Sequence, residues 1–478
     1  METKNWIGGE WSKPEAGIRE IRNPSDVSET VGNVRLSGKA ELFAAVGAAR
    51  QAQPEWAALT GPERGECLFR MASVLEARAA ELANLASREM GKPIAEMRGE
   101  VSRGVNLLRY YAAEGLRANG QMIPSSFANV KQYSIRVPLG VAAIVTPWNF
   151  PVAIPIWKIA PALICGNAVV WKPAEHACLT AFKLAEIFAA ARLPAGTVNL
   201  VIGKGSVIGQ ALLEEAPIDA VSFTGSTATG MRVAAAGAAR NLKYQTEMGG
   251  KNAAVVLRDA DLDAAVSSVV SGAFRSAGQK CTATSRIIVE RAVYDEFAAK
   301  FAAVVSGLRM ANALDERAYL GPVASREQFE TVSGYAAAAR ADARIVAVAP
   351  EAEGTGEGYY IRPMIVEGVS ADHPIVQEEV FGPLAVLLPA EDIDEAIGLV
   401  NRTVFGLSAS VFTRNLTNAF RFLDEAEAGM VRVNQETGGV EYQAPFGGMK
   451  GSSSHTREQG QAALDFYTHL KTCAIQYR

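Results

Sequence analysis

A chain of 478 residues exceeds what one small core needs and suits two or three domains. Hydrophobic residues make up 49% and charged residues 21%, a globular balance that excludes extensive disorder, and a net charge of -4 leaves no basic footprint for nucleic acid, so a small-molecule partner is expected. The five cysteines, Cys67, Cys165, Cys178, Cys281 and Cys473, are widely spaced with no CxxC or Cys/His pattern, which excludes a disulfide framework or metal site and fits a reducing, cytoplasmic setting.

Residues 1–14 form a polar strand-and-turn segment without the apolar core of a signal peptide, so secretion is not expected. From about Lys39 to Arg117, Ala, Leu and Glu recur at helical spacing, including 64–89 and 94–117, which predicts long surface helices. Between 121 and 137 polar and apolar residues alternate, predicting strands that leave the globular body as an oligomerisation arm. The stretch 137–171 carries Lys158 as its only charge and so imitates a membrane span. Pro138, Pro147, Pro151, Pro155 and Pro161 would break such a helix repeatedly, so a buried strand followed by broken helix is expected and no membrane partner.

From Gly140 a strand-then-helix rhythm begins. Strands are predicted at 141–145, 168–171, 198–202, 220–223 and 242–246, with helices at 179–192 and 206–215 between them. That alternation predicts an α/β fold with a parallel, Rossmann-type sheet and a nucleotide site at its strand ends. A second α/β series starts at Asn252, with strands at 253–257 and 286–289 and helices at 262–276 and 294–308, and reads as a separate lobe. Residues 462–478 read as a helix or turn followed by a strand that returns to the first lobe or joins a neighbouring subunit.

Chemistry concentrates in two fragments. Cys281 ends the run Gly278-Gln279-Lys280-Cys281, and Glu247 opens Glu247-Met248-Gly249-Gly250-Lys251. An ionisable thiol, a carboxylate able to serve as its base, and glycines that leave room for a ligand together suggest covalent catalysis. The strand ending at Phe223 runs into Thr224-Gly225-Ser226-Thr227, where a helix start offers free N–H groups to a pyrophosphate, or is simply capped. Lys172 and Glu175 follow the strand 168–171, where a nucleotide-binding sheet presents groups to a ribose, although a solvated loop cap reads equally well. A carboxylate there would repel an added phosphate, so NAD is favoured and NADP stays open.

Seven motifs in order carry a resemblance to the aldehyde dehydrogenase superfamily that runs nearly end to end. They are Thr146-Pro147-Trp148-Asn149-Phe150-Pro151, Lys172-Pro173-Ala174-Glu175, Phe223-Thr224-Gly225-Ser226, Glu247-Met248-Gly249-Gly250-Lys251, Gly278-Gln279-Lys280-Cys281, Glu378-Glu379-Val380-Phe381-Gly382-Pro383 and Pro445-Phe446-Gly447-Gly448-Met449-Lys450. The resemblance implies that Cys281 attacks the aldehyde to give a thiohemiacetal, with the Asn149 amide and the Cys281 backbone N–H as oxyanion hole. Hydride then leaves for a nicotinamide, Glu247 is implied as the general base that activates the thiol or the deacylating water, and hydrolysis of the thioester gives a carboxylic acid. By the same resemblance Lys172 and Glu175 meet the adenosine ribose, Gly205 and Gly209 flank the adenine end, Phe223, Ser226 and Trp148 approach the pyrophosphate, and Glu379 and Phe381 hold the nicotinamide ribose and ring. No metal is implied.

The position of Arg275 is arginine in succinic semialdehyde dehydrogenases, where a guanidinium suits a substrate carboxylate. Arg117 is a second candidate contact, and a structural ion pair is the competing account of both. The ending from Gly439 to Gly460, with serines after the lysine in place of the usual Ser-Gly pair, is similar to that of 2-oxoglutarate semialdehyde (2,5-dioxopentanoate) dehydrogenases. That substrate is expected, with succinic semialdehyde next and a neutral or aromatic aldehyde third. Lys280 either acidifies Cys281 or points to solvent. Different in class are a non-catalytic cofactor-binding protein and a thiol esterase without hydride transfer. The implied architecture is a cofactor lobe of 1–118 and 140–248 with a returning segment 441–461, a catalytic lobe of 249–440, and an arm of 119–139 and 462–478 that pairs with the last strand of another subunit in a homodimer or homotetramer.

Overall fold

The computed structural model describes residues 1–117, 119–353 and 356–478. Ala118, the expected limit of the first cofactor-lobe segment, lies outside the described residues. Two seven-stranded sheets dominate. The first runs in the order Lys243–Glu247, Ala220–Thr224, Val141–Thr146, Ala168–Pro173, Val198–Leu200, Asn5–Ile7, Glu10–Ser12, with the first five strands parallel and the N-terminal hairpin antiparallel at the edge.

Side-chain alternation assigns its two faces. Val141, Ala143, Ala168 and Val170 pack on Leu42, Val46 and Ala49 of the helix Lys39–Ala58. Ala142, Ile144, Val169 and Trp171 point the other way, into a layer built by Gly61–Ala77, Ile94–Glu114, Ala153–Ile164 and Cys178–Ala190. Covered on both faces, these strands are apolar throughout, as a buried parallel sheet requires.

The helices expected at the surface therefore form a core layer: Trp56, Leu68, Met71, Leu75, Leu108 and Tyr111 are buried completely. The stretch 64–89 is two helices, Gly61–Ala77 and Ala79–Met90, because Arg78 leaves helical geometry at φ -110°, ψ 15°. Neither glycine nor proline marks that break, so periodicity runs through it. The stretch 137–171 becomes the strand Val141–Thr146 and the wholly buried helix Ala153–Ile164. No helix among the described residues is long and apolar enough to cross a membrane.

The second sheet runs Arg344–Val348, Met364–Glu367, Leu384–Ala390, Thr284–Glu290, Asn252–Val256, Ser408–Phe412, Met430–Val433, parallel except for its first pair. The helix predicted over 262–276 stops at Phe274. Ser276 and Ala277 then take left-handed φ values of 56° and 53°, turning the chain toward Cys281. Glu96 holds this strained turn, accepting from Ser276 N at 3.0 Å and Ser276 Oγ at 2.6 Å. The helix predicted over 206–215 likewise starts as a wide turn, Gly205–Gly209, before Gln210–Glu214.

The arm is a three-stranded antiparallel sheet ordered Thr468–Gln476, Val130–Pro138, Gly120–Ile123. Its last strand pairs with Val130–Pro138 of the same chain, from Thr468↔Pro138 to Gln476↔Val130, where pairing between subunits was expected. The cause is local anchoring. Asn167 Nδ2 donates to Tyr467 O at 2.9 Å and Lys243 Nζ to Thr468 O at 2.8 Å, so the strand starts beside Pro138 and meets its own arm first. Residues 441–461 return to the first sheet, where Ser454 N donates to Thr246 O at 2.9 Å.

Candidate active site

The two sheets meet at their strand ends. Thr224 and Glu247 are in register at the end of the first sheet, and Met248-Gly249-Gly250 crosses to Asn252, the first residue of an interior strand of the second. Asn252 Nδ2 donates to Cys281 O at 2.8 Å and to Ala283 O at 2.9 Å, fixing the loop that carries the cysteine. A side chain at Gly250 would come within 2.7 Å of Cys281 O, so glycine is what allows this approach.

Cys281 lines a cavity of about 230 Å³ with Trp148, Asn149, Gly249, Glu379 and Phe381. Asn149 is buried; its Nδ2 donates to Gln279 O at 3.0 Å, which turns the amide toward the cysteine loop, and Lys92 Nζ clamps its carbonyl at 2.6 Å. Glu247 is only 2% exposed. Its Oε2 accepts from Ser453 Oγ at 2.6 Å, while Oε1 has no partner among the described residues. Burial, and then the neighbouring Glu458 carboxylate, push the Glu247 carboxyl well above the usual range. Glu458 itself is paired with buried Lys158 and accepts from Trp157 Nε1 at 2.6 Å.

Burial, with Glu379 and Glu247 nearby, likewise pushes the Cys281 thiol up. A thiol held protonated needs a base to react, and a carboxyl raised above its ordinary range holds a proton more tightly than a free carboxylate does. Glu379 is pushed up to about 7 by burial, and its Oε1 accepts from Gly250 N at 3.0 Å. Lys280 neither acidifies the thiol nor points to solvent; its Nζ turns back to Ser271 O at 3.3 Å.

A second cleft of about 590 Å³ adjoins the cysteine cavity and shares Pro147, Trp148, Thr224, Gly225 and Ser226 with it. Lys172, Gly205, Gly209 and Phe223 line its far part. Ser226 begins the helix Thr227–Ala239 without a side-chain cap, and its Oγ bonds Thr229 Oγ1 instead, so the first-turn N–H groups remain available to an anion. At the junction the Trp148 and Phe381 rings stand perpendicular at 5.5 Å, and Gln328 Nε2 holds Phe381 O at 2.8 Å. An elongated cleft with a basic far end, open amides midway and aromatic walls beside a thiol fits a nicotinamide dinucleotide. Glu175 does not line it. Its Oε1 accepts from Gly205 N at 3.2 Å and its Oε2 from Arg19 Nη1 at 3.3 Å.

The two arginines separate. Arg275 is exposed and stacks its guanidinium 4.8 Å over the Tyr319 ring, with no carboxylate partner among the described residues. Arg117 is not brought to Cys281. It pairs with Glu114 at 2.8 Å beside a separate cavity at the base of the arm, because the helix Ile94–Glu114 ends there. Ser453, Gln328, Glu96 and Lys92 were not foreseen. The serine run around Ser453 was visible as a departure from the family ending, whereas the other three carry no local signal.

The Aldehyde dehydrogenase family profile matches residues 11–473, and the chain belongs to that family. Among its relatives, the alpha-ketoglutaric semialdehyde dehydrogenase of Bacillus subtilis is 47% identical over 476 residues, covering 99% of this chain and 98% of the relative. The alpha-ketoglutarate semialdehyde dehydrogenase of Haloferax volcanii is 40% identical, covering 99% of both. The crystal structure of betaine aldehyde dehydrogenase from Staphylococcus aureus in complex with NAD+ superposes with a TM-score of 0.95 at 31% identity, covering 99% of this chain and 95% of that one.

Proposed function

We propose that the chain oxidises 2-oxoglutarate semialdehyde to 2-oxoglutarate. The reading is carried by the continuous cleft that runs from Lys172 to Cys281 and ends beside Asn149 and Gly249. The substrate assignment is supported by the two relatives named for it and by the Arg275 guanidinium, which has no carboxylate partner among the described residues. Succinic semialdehyde is the second reading, favoured by a rice mitochondrial succinate-semialdehyde dehydrogenase that is 35% identical over 472 residues.

In this reading Cys281 Sγ bonds to the aldehyde carbon as its proton passes toward Glu247. The resulting alkoxide is held by Asn149 Nδ2 and Cys281 N. The bound nicotinamide supplies the hydride acceptor. Collapse of the alkoxide leaves a thioester on Cys281. Glu247 first gives the thiol's proton up to solvent and then takes one from the attacking water; the C–S bond breaks, the acid departs, and that second proton returns from Glu247 to the Cys281 thiolate. Trp148 and Phe381 wall the nicotinamide position, and Ser226 faces the pyrophosphate.

NAD is the proposed preferred acceptor. Arg19 partly neutralises Glu175, which leaves NADP usable. The cofactor lobe comprises 1–118, 140–248 and 441–461, the catalytic lobe 249–440, and the arm 119–139 and 462–478. The arm leaves Met122 and Phe127 71% and 78% exposed, which supports a homo-oligomer.

The test is steady-state NADH formation from 2-oxoglutarate semialdehyde, succinic semialdehyde and an uncharged aldehyde of similar length, with wild type and Arg275→Leu. Strong preference for the acid aldehydes, reduced by the substitution, is expected. Equal turnover of the uncharged aldehyde by both proteins would move the substrate to neutral or aromatic aldehydes. Ester hydrolysis without NADH formation would make the protein a thiol esterase.

A further inference from the structure

Two buried donors next to each other have no acceptor among the described residues. Arg103, on the inner face of the helix Ile94–Glu114, donates from Nη2 to Gln459 Oε1 at 3.0 Å. Its Nε is buried without a partner, and so is Gln459 Nε2, in a glutamine side chain with no solvent exposure. The nearest acid, Glu100, is fully used: Lys92 Nζ takes one oxygen at 2.6 Å, and Val152 N and Ala153 N take the other at 2.8 and 3.0 Å. A half-buried guanidinium whose Nε is shut from water, beside a buried amide unpaired among the described residues, is costly unless a ligand completes it. A second cation, Arg432, stands beside Arg103 and depresses its proton affinity further.

The location ties this pair to the cysteine. Cys281 packs against the cluster of Val440 and Phe446 and also lines the cavity walled by Trp148 and Phe381, and neither Val440 nor Phe446 lines that cavity. The Phe446 ring lies 5.5 Å from Trp157. Phe446 and Glu458 exchange both backbone hydrogen bonds, at 2.6 and 2.7 Å, so Gln459 directly follows the bridge that holds Phe446. Gly460 N bonds Tyr442 O at 3.0 Å, and the Tyr442 ring stands on Tyr110, about two helical turns from Arg103 on the same helix. With the nicotinamide occupying the Trp148–Phe381 side, the tail of an aldehyde bound to Cys281 extends along the Val440–Phe446 side, where Arg103, Gln459 and Tyr442 stand.

We propose that Arg103 and Gln459 form a binding subsite for the oxygen-rich, anionic end of the substrate, additional to Arg275. This rests on the 2-oxo acid semialdehyde reading. Such a substrate presents a carboxylate and an adjacent keto oxygen, more acceptors than one guanidinium fork can satisfy. Arg103 Nε and Gln459 Nε2 supply the two missing donors, and the ligand relieves both buried groups at once.

The experiment compares wild type, Arg103→Met and Arg103→Lys in their kcat/KM for 2-oxoglutarate semialdehyde relative to an uncharged five-carbon aldehyde, and in the competitive inhibition constant of 2-oxoglutarate. Arg103→Met is expected to lower the ratio about 10- to 100-fold, the range of a charged hydrogen bond, with the loss carried by KM, to weaken 2-oxoglutarate inhibition in parallel, and to be partly rescued in Arg103→Lys. A ratio and an inhibition constant unchanged in Arg103→Met, while wild type still prefers the acid aldehyde, would overturn this subsite alone. A wild type with no preference for acid aldehydes would overturn the substrate reading and the subsite with it. Because the ratio compares two substrates of the same protein sample, partial misfolding cancels.

Discussion

Removing one hydroxyl should retune the proposed general base. The Glu247 carboxylate has a single hydrogen bond among the described residues, from Ser453 Oγ at 2.6 Å to Oε2, and its Oε1 has none. That bond favours the carboxylate, whereas burial and Glu458 favour the protonated form. A hydrogen bond to a charged group is worth about 1.5–3 kcal/mol, and about 1.4 kcal/mol corresponds to one pKa unit, so Ser453→Ala should raise the Glu247 pKa by roughly 1 to 2 units. The active form in deacylation is the carboxylate. Below the pKa the rate should therefore drop roughly 10- to 100-fold and recover at higher pH, displacing the rising limb of the profile to the alkaline side by the same 1 to 2 units.

The assay is the pH profile of steady-state hydrolysis of an activated ester, which passes through the Cys281 acyl-enzyme without hydride transfer. A raised carboxyl pKa also sets the sign of the stability effect. The contribution is fully present below the unfolded-state pKa and is lost as pH rises through the folded one, so Ser453→Ala should lose no stability at acid pH. At alkaline pH, where Glu247 must ionise without its donor, the melting temperature should fall. A profile in Ser453→Ala that superimposes on wild type would refute the assignment of Ser453 as the support of the ionised base.

Two further changes test the geometry around the cleft. Gly447 has φ +153°, and a Cβ there would stand 2.9 Å from Glu247 Oε1 and 2.7 Å from Arg457 Cδ, so Gly447→Ala should displace the carboxylate and cost on the order of 100-fold in kcat with NAD binding retained, measured by turnover and cofactor titration. Arg19→Ala frees Glu175 from its cationic partner and should weaken NADP binding more than NAD binding, about 3- to 10-fold in the ratio of dissociation constants for a partly exposed pair, read by ligand titration of the apoprotein; an unchanged ratio would separate Arg19 from cofactor choice.

The sequence by itself determined the parts whose signal is local. Apolar runs between glycine-rich turns marked the buried parallel strands of both sheets, and the fragments around Asn149, Glu247 and Cys281 carried enough identity to be recognised before the fold brought them together. Glu379, Phe381, Trp148 and Ser226, far apart in the chain, line adjoining clefts. Breaks without glycine or proline were invisible, because Arg78, Ser276 and Ala277 leave helical geometry under tertiary constraint, the last two held by Glu96.

Only the tertiary structure decided which groups share a charge or a proton. Ser453 reaches Glu247 across 206 residues and Arg19 reaches Glu175 across 156, distances over which residue type and spacing carry no information about contact. The same holds for Arg117, which satisfied the chemistry of a carboxylate anchor yet sits at the base of the arm, and for the last strand, whose partner was chosen by the two hydrogen bonds that start it beside Pro138. Periodicity and motif are properties of neighbours along the chain. Pairing, burial and the proton affinity of a carboxyl are properties of neighbours in space, set by which faces the core closes over.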